Sequence, residues 1–236
     1  KLSLSFLALN NGYQYENLVE NKFQVAYLQT IGTYGKWDAS KFYGDFGLYA
    51  QTGEAAITND KVAVGAYYAG FNLGYKFTNP FKAELGFEYL SGKDQNDTDT
   101  KVKSFTPLFG TNHGFNGLMD YFYVGNHKNS VGLQDVYTKF IYDKNKWQVT
   151  LSPHLFYSAA SVYNMTTLEE QDSYLGTEID LTATYKMDKN FVISGGVSKM
   201  LASDTMEILK GGNNNNCNNW AWVMVSFNPQ LFTYKK

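Results

Sequence analysis

Glu84 and Glu88 stand four residues apart in a segment that alternates apolar with polar positions. Both carboxylates therefore share one face of a strand, about 13 Å apart by strand rise. That separation exceeds the spacings at which paired carboxylates cleave glycosides. Three histidines, His113, His127 and His154, are candidate bases, but no Asp-x-His pair stands beside any of them to orient a ring. Asp94, Asn96, Asp97 and Asp99 gather oxygens that suit calcium in an outer loop, without the glycine and closing glutamate of an EF-hand. The single cysteine, Cys217, cannot form an internal disulfide, and no zinc spacing, phosphate-cradling loop or nucleophile elbow is present. No cofactor is implied, no metal is assigned, and the chain is not expected to be an enzyme.

The charge balance narrows the partners. With 20 basic and 22 acidic residues the formal net charge is -2, which leaves no basic footprint for nucleic acid. All 20 basic residues are lysine, so the side chain best shaped for bidentate grip on carboxylate or phosphate is missing.

The elements that must carry these residues are strands. In Leu175 to Tyr185, Leu175, Thr177, Ile179, Leu181, Ala183 and Tyr185 alternate with Gly176, Glu178, Asp180, Thr182 and Thr184. Ala83, Leu85, Phe87 and Tyr89 alternate with Lys82, Glu84, Gly86 and Glu88, and Phe46, Leu48 and Ala50 alternate with Asp45, Gly47, Tyr49 and Gln51. Such ribbons suit a soluble sandwich or lectin-like fold, or a barrel whose oily face meets lipid. Aromatic residues are 17% of the chain, a share that suits two interfacial girdles. The mean hydropathy of -0.36 would suggest a soluble protein, but strands that show lipid at every second residue average to neutral. No apolar run approaches the roughly 18 residues of a spanning helix.

About ten strands of the roughly 9 to 11 residues needed to cross hydrocarbon are predicted. They are placed at Lys1 to Asn10, Asn21 to Tyr34, Lys41 to Thr52, Val62 to Thr78, Phe81 to Ser91, Leu133 to Asp143, Lys146 to Ser158, Tyr174 to Met187, Asn190 to Leu201 and Asn218 to Phe227. Short turns are expected near Trp37, Asn79, Lys144 and Lys189, and long polar connections over Asn11 to Glu20, Gly53 to Asp60, Gly92 to Asn129, Ala159 to Asp172 and Ala202 to Cys217. Short and long would alternate strictly, as periplasmic turns and extracellular loops do. The expected fold is all-β: an antiparallel up-and-down transmembrane β-barrel, one domain over residues 1–236, with a long extracellular loop at 92–130.

On that fold Asp45, Lys82, Glu84, Glu88, Asp135, Lys139, His154, Glu178 and Asp180 line the face opposite the lipid, mixed in sign with acids in excess. The alternative for each is bracing inside the barrel wall. The loop around Phe105 to His127 is too aromatic to stand in water, so it should fold inward as a constriction or pack on the rim.

Within that loop Pro107, Leu108, Phe109, Gly110, Thr111, His113, Phe115, Gly117 and Asp120 spell a PLFGTxHxFxGxxD pattern. It resembles a stretch of the alginate export family of outer-membrane channels, in its Bacteroidota-type form, specifically over about twenty residues and diffusely elsewhere. The resemblance implies a porin-like barrel in the bacterial outer membrane that passes or binds an anionic polysaccharide or small polar solute. It implies a partner set of outer-membrane lipid, lipopolysaccharide and other outer-membrane proteins. Family barrels have roughly eighteen strands, so ten would form the C-terminal part. The family's alginate pore is lined with arginine, which this chain lacks. Two other readings stay open: a structural or docking barrel in an outer-membrane complex, and an omptin-like barrel protease in which Asp97 and Asp99 imitate part of the site.

Overall fold

In the computed structural model, residues 1–110, 113, 116–230 and 232 are described. Ten strands form one antiparallel sheet in sequence order. They are β1 (Leu2–Asn17), β2 (Lys22–Ala39), β3 (Phe42–Ile57), β4 (Asp60–Lys76), β5 (Phe81–Leu90), β6 (Leu133–Lys144), β7 (Trp147–Tyr157), β8 (Tyr174–Lys186), β9 (Phe191–Ala202) and β10 (Asn218–Phe227). The sheet is not closed, because β1 pairs only with β2 and β10 only with β9. No helix is long and apolar enough to cross a membrane, which says nothing about strands.

Two of the expected long loops are strand instead. Asn11 to Glu20 and Gly53 to Asp60 mostly extend β1 and β3, so β1 to β4 run 16, 18, 16 and 17 residues and close in tight turns. The strict alternation of short and long connections fails at these two hairpins. Their polar composition reads as loop, yet Tyr13, Tyr15, Val25 and Tyr27 continue the ladder there, and Asn21 and Thr58 supply the positive φ at the turns. The turn expected near Trp37 lies at Ser40 and Lys41, with Trp37 itself in β2. Ala202 to Cys217, also expected as loop, contains α1 (Asp204–Lys210). Its pattern is too short for periodicity; Ser203 caps it by accepting from the Met206 N–H, and Met206 is buried.

From β3 to β9 the strands have two unlike faces. One, the bare face, carries Tyr67, Ala69, Phe71, Leu73 and Tyr75 on β4, Phe81, Ala83, Leu85, Phe87 and Tyr89 on β5, and Ile179, Leu181, Ala183 and Tyr185 on β8. No described element packs on it. Ring pairs mark two levels across it. Near the short turns lie Phe42–Tyr75, Phe81–Tyr142, Trp147–Tyr185 and Phe191–Phe227, and near the long connections lie Tyr67–Tyr89 and Tyr157–Tyr174. Between these levels Lys199, beside Ile179 at the upper rim, is the one charged side chain among the described residues.

The other face is covered at one end by α1 and the described residues of the segment 91–132. Leu28, Ala66, Leu90, Leu133, Phe156, Leu175 and Met200 meet Val102, Phe105, Phe122 and Met206 there in the main apolar cluster. Phe122 and Phe156 lie 4.7 Å apart by ring centroid. Burying each such ring contributes about 1.5–3 kcal/mol, enough to hold a long loop against a sheet.

Candidate functional site

The covered face descends in layers from that cluster. β5 presents Leu90, Glu88, Gly86, Glu84 and Lys82 in turn, β6 presents Leu133, Asp135, Tyr137 and Lys139, and β7 presents Phe156, His154, Ser152 and Thr150. Cross-strand register sets Glu88 opposite Asp135, Glu84 opposite Lys139, and His154 opposite Glu178. All nine residues expected to line the face opposite the bare one, Asp45, Lys82, Glu84, Glu88, Asp135, Lys139, His154, Glu178 and Asp180, do stand together on this face. Alternation alone places them there.

The middle layer is a buried polar cluster. Asp135 is 0% and His154 6% exposed, and both Asp135 oxygens lie 3.0 Å from His154 Nδ1. His154 Nε2 faces Asp180 Oδ2 at 3.9 Å, and Ser198 Oγ donates to Asp180 Oδ1. Both ring nitrogens of His154 therefore face carboxylates, and neither is turned toward a hydroxyl or thiol nucleophile. A short-range search for Asp-x-His does not see this pair, because Asp135 and His154 meet across strands rather than along the chain. His113 Nδ1 and Asp120 Oδ2 meet within the loop at 2.8 Å, seven residues apart along the chain.

The loop reaches into this layer. Asn116 donates to Glu88 Oε2 at 3.0 Å and to Asp135 Oδ2 at 3.2 Å. The Leu118 and Met119 N–H groups donate to Glu178 Oε1 at 2.6 and 2.9 Å. Gly117 has φ +77° and lies so close that a Cβ would overlap the Glu178 carboxylate. Farther along, the Gln51 amide clasps the Thr106 backbone, donating to its carbonyl at 2.8 Å and accepting from its N–H at 3.1 Å. Of the loop pattern, Pro107 and Leu108 border a cavity on the covered face and Phe109 is 81% exposed. Gly110 follows Phe109, and Thr111 and Phe115 lie outside the described residues.

No family model and no curated protein matches this chain significantly.

Toward the short turns the face opens into a polar cavity of about 380 Å³ beneath the loop, bordered by Glu84, Lys139, Thr150 and Asp180. Glu84 accepts from the Tyr43 hydroxyl at 2.8 Å and from Asn72 at 3.3 Å. Lys82 pairs with Asp143 at 3.3 Å, and the Lys139 ammonium lies 5.0 Å from the Tyr137 ring centre.

The acidic loop residues are engaged by protein donors. Lys103 pairs with Asp97 at 2.6 Å and Asp99 at 3.4 Å, and Asp94 accepts from the Ser161 N–H at 2.7 Å. The Lys103 ammonium holds Asp97 below the usual carboxylate range, and the Lys101 N–H does the same for Asp99. Among the described residues no group of histidines, cysteines and acids is arranged to hold a metal ion. His127, also in the loop, accepts burial at a cost: burial pushes it down to about 4, against the opposing bond to the Phe122 carbonyl. Burial lowers Lys210 on α1 as well, and its ammonium sits 5.2 Å from the Phe122 ring.

Sequence reasoning missed Gln51, Asn116 and Ser198, whose roles depend on what lies across from them. It also missed the tyrosines of this face, although a signal was available: Tyr49, Tyr43 and Tyr137 stand directly opposite Gly32, Gly74 and Gly86.

Proposed function

We propose that the protein is a porin-like channel of the bacterial outer membrane, of the alginate-export type in architecture, in which these ten strands form part of a transmembrane β-barrel. The bare face carries this reading. Its aromatic levels at Tyr67 and Tyr75 are eight residues apart on β4, about 27 Å along the strand. A tilt of about 40° shortens that to roughly 20 Å, near the height of the apolar band of such barrels. Charges return above it, where Lys61 pairs with Glu54 on the same face. The open edges of β1 and β10 would be paired by further strands, since unpaired backbone groups are not tolerated in hydrocarbon.

On this reading lipid and lipopolysaccharide contact the bare face, and polar solutes move along the covered one. The segment 91–132 is the constriction, held by the Glu178 and Asn116 contacts. Reconstitution of the full-length protein in planar bilayers tests it: discrete conductance steps are expected, and deletion of Leu108 to Leu118 should enlarge them. A protein that stays dispersed and native in buffer without detergent overturns the reading. The close packing of the loop on the covered face favours, as a second reading, a plugged barrel that docks in an outer-membrane complex. Such a barrel would insert in lipid and show no open level.

A further inference from the structure

On the β2 to β6 side of the covered face the tyrosines do not stand away from the sheet. A Cβ at Gly32 would overlap the Tyr49 ring, at Gly74 the Tyr43 ring, and at Gly86 the Tyr137 ring. Each pair is directly cross-strand, so these rings lie flat across glycine backbone. A flat ring turns one π-face to the peptide and the other away from the sheet. Over Tyr43 and Tyr137 the Lys76 and Lys139 ammonium groups stand 5.3 and 5.0 Å from the ring centres, while among the described residues no ammonium lies over the Tyr49 ring.

Beside the Tyr49 and Tyr137 rings, and away from Tyr43, lies a cavity of about 340 Å³ that Tyr34 and Tyr68 also border. Loop residues Phe105 and Leu108 wall it on one side, and Leu7 and Leu9 of β1 border it too. Tyr49 and Tyr68 are 5.9 Å apart by ring centre. Among the described residues its only ionisable groups besides tyrosine are Asp45 and Glu88. The volume falls at the lower end of small-ligand sites, which pair aromatic walls with a few fixed polar groups.

We propose that this cavity binds an uncharged oligosaccharide of pyranose rings, an inference that rests on the channel reading for how the sugar arrives. The tyrosine faces stack on the apolar faces of the sugar rings, and the carboxylates of Asp45 and Glu88 accept hydrogen bonds from its hydroxyls. An acidic polysaccharide is disfavoured, because its charges would meet two carboxylates with no cation in the cavity wall. A compact organic cation is also a poorer fit, since it uses one ring and one carboxylate where four tyrosine rings border the cavity.

Equilibrium titration of the full-length protein in detergent micelles tests the inference apart from conduction. The probes are maltohexaose, cellohexaose and mannohexaose, with a mannuronate hexamer and choline as charged counterparts. At least one neutral hexamer should bind, with neither charged probe matching it. Tyr49→Ala should weaken that binding tenfold or more, Tyr49→Phe should retain it because the flat ring survives, and Tyr89→Leu on the bare face should leave it unchanged. Binding of none of the three neutral sugars, tighter binding of the uronate or choline, or equal affinity in Tyr49→Ala and Tyr49→Phe each overturns it. Absent conductance steps alongside sugar binding would instead count against the channel.

Discussion

The two faces of this sheet invert the usual rule of burial. On the bare face Leu48, Leu85 and Phe140 are 50%, 55% and 54% exposed, while on the covered face Asp135 and Glu178 are both fully buried. In a protein surrounded by water alone this would leave aliphatic surface in solvent and charge in the interior, both against the grain of folding. The contrast is the one that the proposed channel accounts for, with lipid on one side of the sheet and a polar interior on the other. The covered face can hold its acids because each meets donors: Asn116 for Glu88 and Asp135, backbone N–H groups for Glu178, Ser198 for Asp180. The bare face has no such partners and needs none if hydrocarbon touches it.

The strongest way to break the contrast is to place charge in the bare band. Leu85→Arg should cost roughly 2–4 kcal/mol of folding free energy in lipid vesicles, read by denaturant titration. A change within about 0.5 kcal/mol, usual for an exposed position in water, would mean that lipid does not meet this face.

On the covered face, Glu178→Ala removes the acceptor of the Leu118 and Met119 N–H groups. A hydrogen bond is worth about 0.5–1.5 kcal/mol net, so with two of them lost loop protection should fall by about 2 kcal/mol. Hydrogen exchange at those two amides is the measurement, and unchanged protection would show that the loop is held elsewhere.

His127 offers a graded test on the same loop. Its folded value of about 4 lies below the ordinary 6.5, so between those values the unfolded loop binds more protons than the folded one. The stabilisation is complete above pH 6.5 and is lost as pH falls toward 4. By pH 5.5 about 1 kcal/mol of loop protection should be gone, and His127→Leu should abolish that dependence. Persistence of the same slope in the variant would assign it to another group.

The smallest effect is expected where the bare face leaves the band. Lys61 and Glu54 are both about 40% exposed, so Lys61→Met should change stability by no more than about 0.5 kcal/mol. Set beside Leu85→Arg, it locates the edge of the apolar zone; a large loss here would move that edge outward.

How much was legible follows from which residues carry a local signal. Glu84 and Lys82 could be assigned to one face because each neighbours Ala83, and the period of two needs no partner to be read. The same rule failed at Asn11 to Glu20, where Asn11, Gly12, Gln14, Glu16 and Asn17 make the β1 side of the hairpin polar although the ladder with β2 continues. It failed again at Ser203 to Lys210, a helix held by one cap and the burial of Met206. Within the candidate site, His154 was visible as a covered-face residue, while its partnership with Asp135 was not.

The order of residues determined by itself a two-sided ribbon of about ten strands, since side chains on a strand must point alternately to opposite faces whatever lies beyond. It determined the absence of arginine from any binding surface. Tertiary structure alone decided where the loop lands, that Asn116 bridges Glu88 and Asp135, and that tyrosines lie flat over glycines on neighbouring strands. Those contacts join residues up to tens of positions apart, and they arise from strand register and from burial of Phe105 and Phe122 against the sheet, neither of which a local pattern encodes.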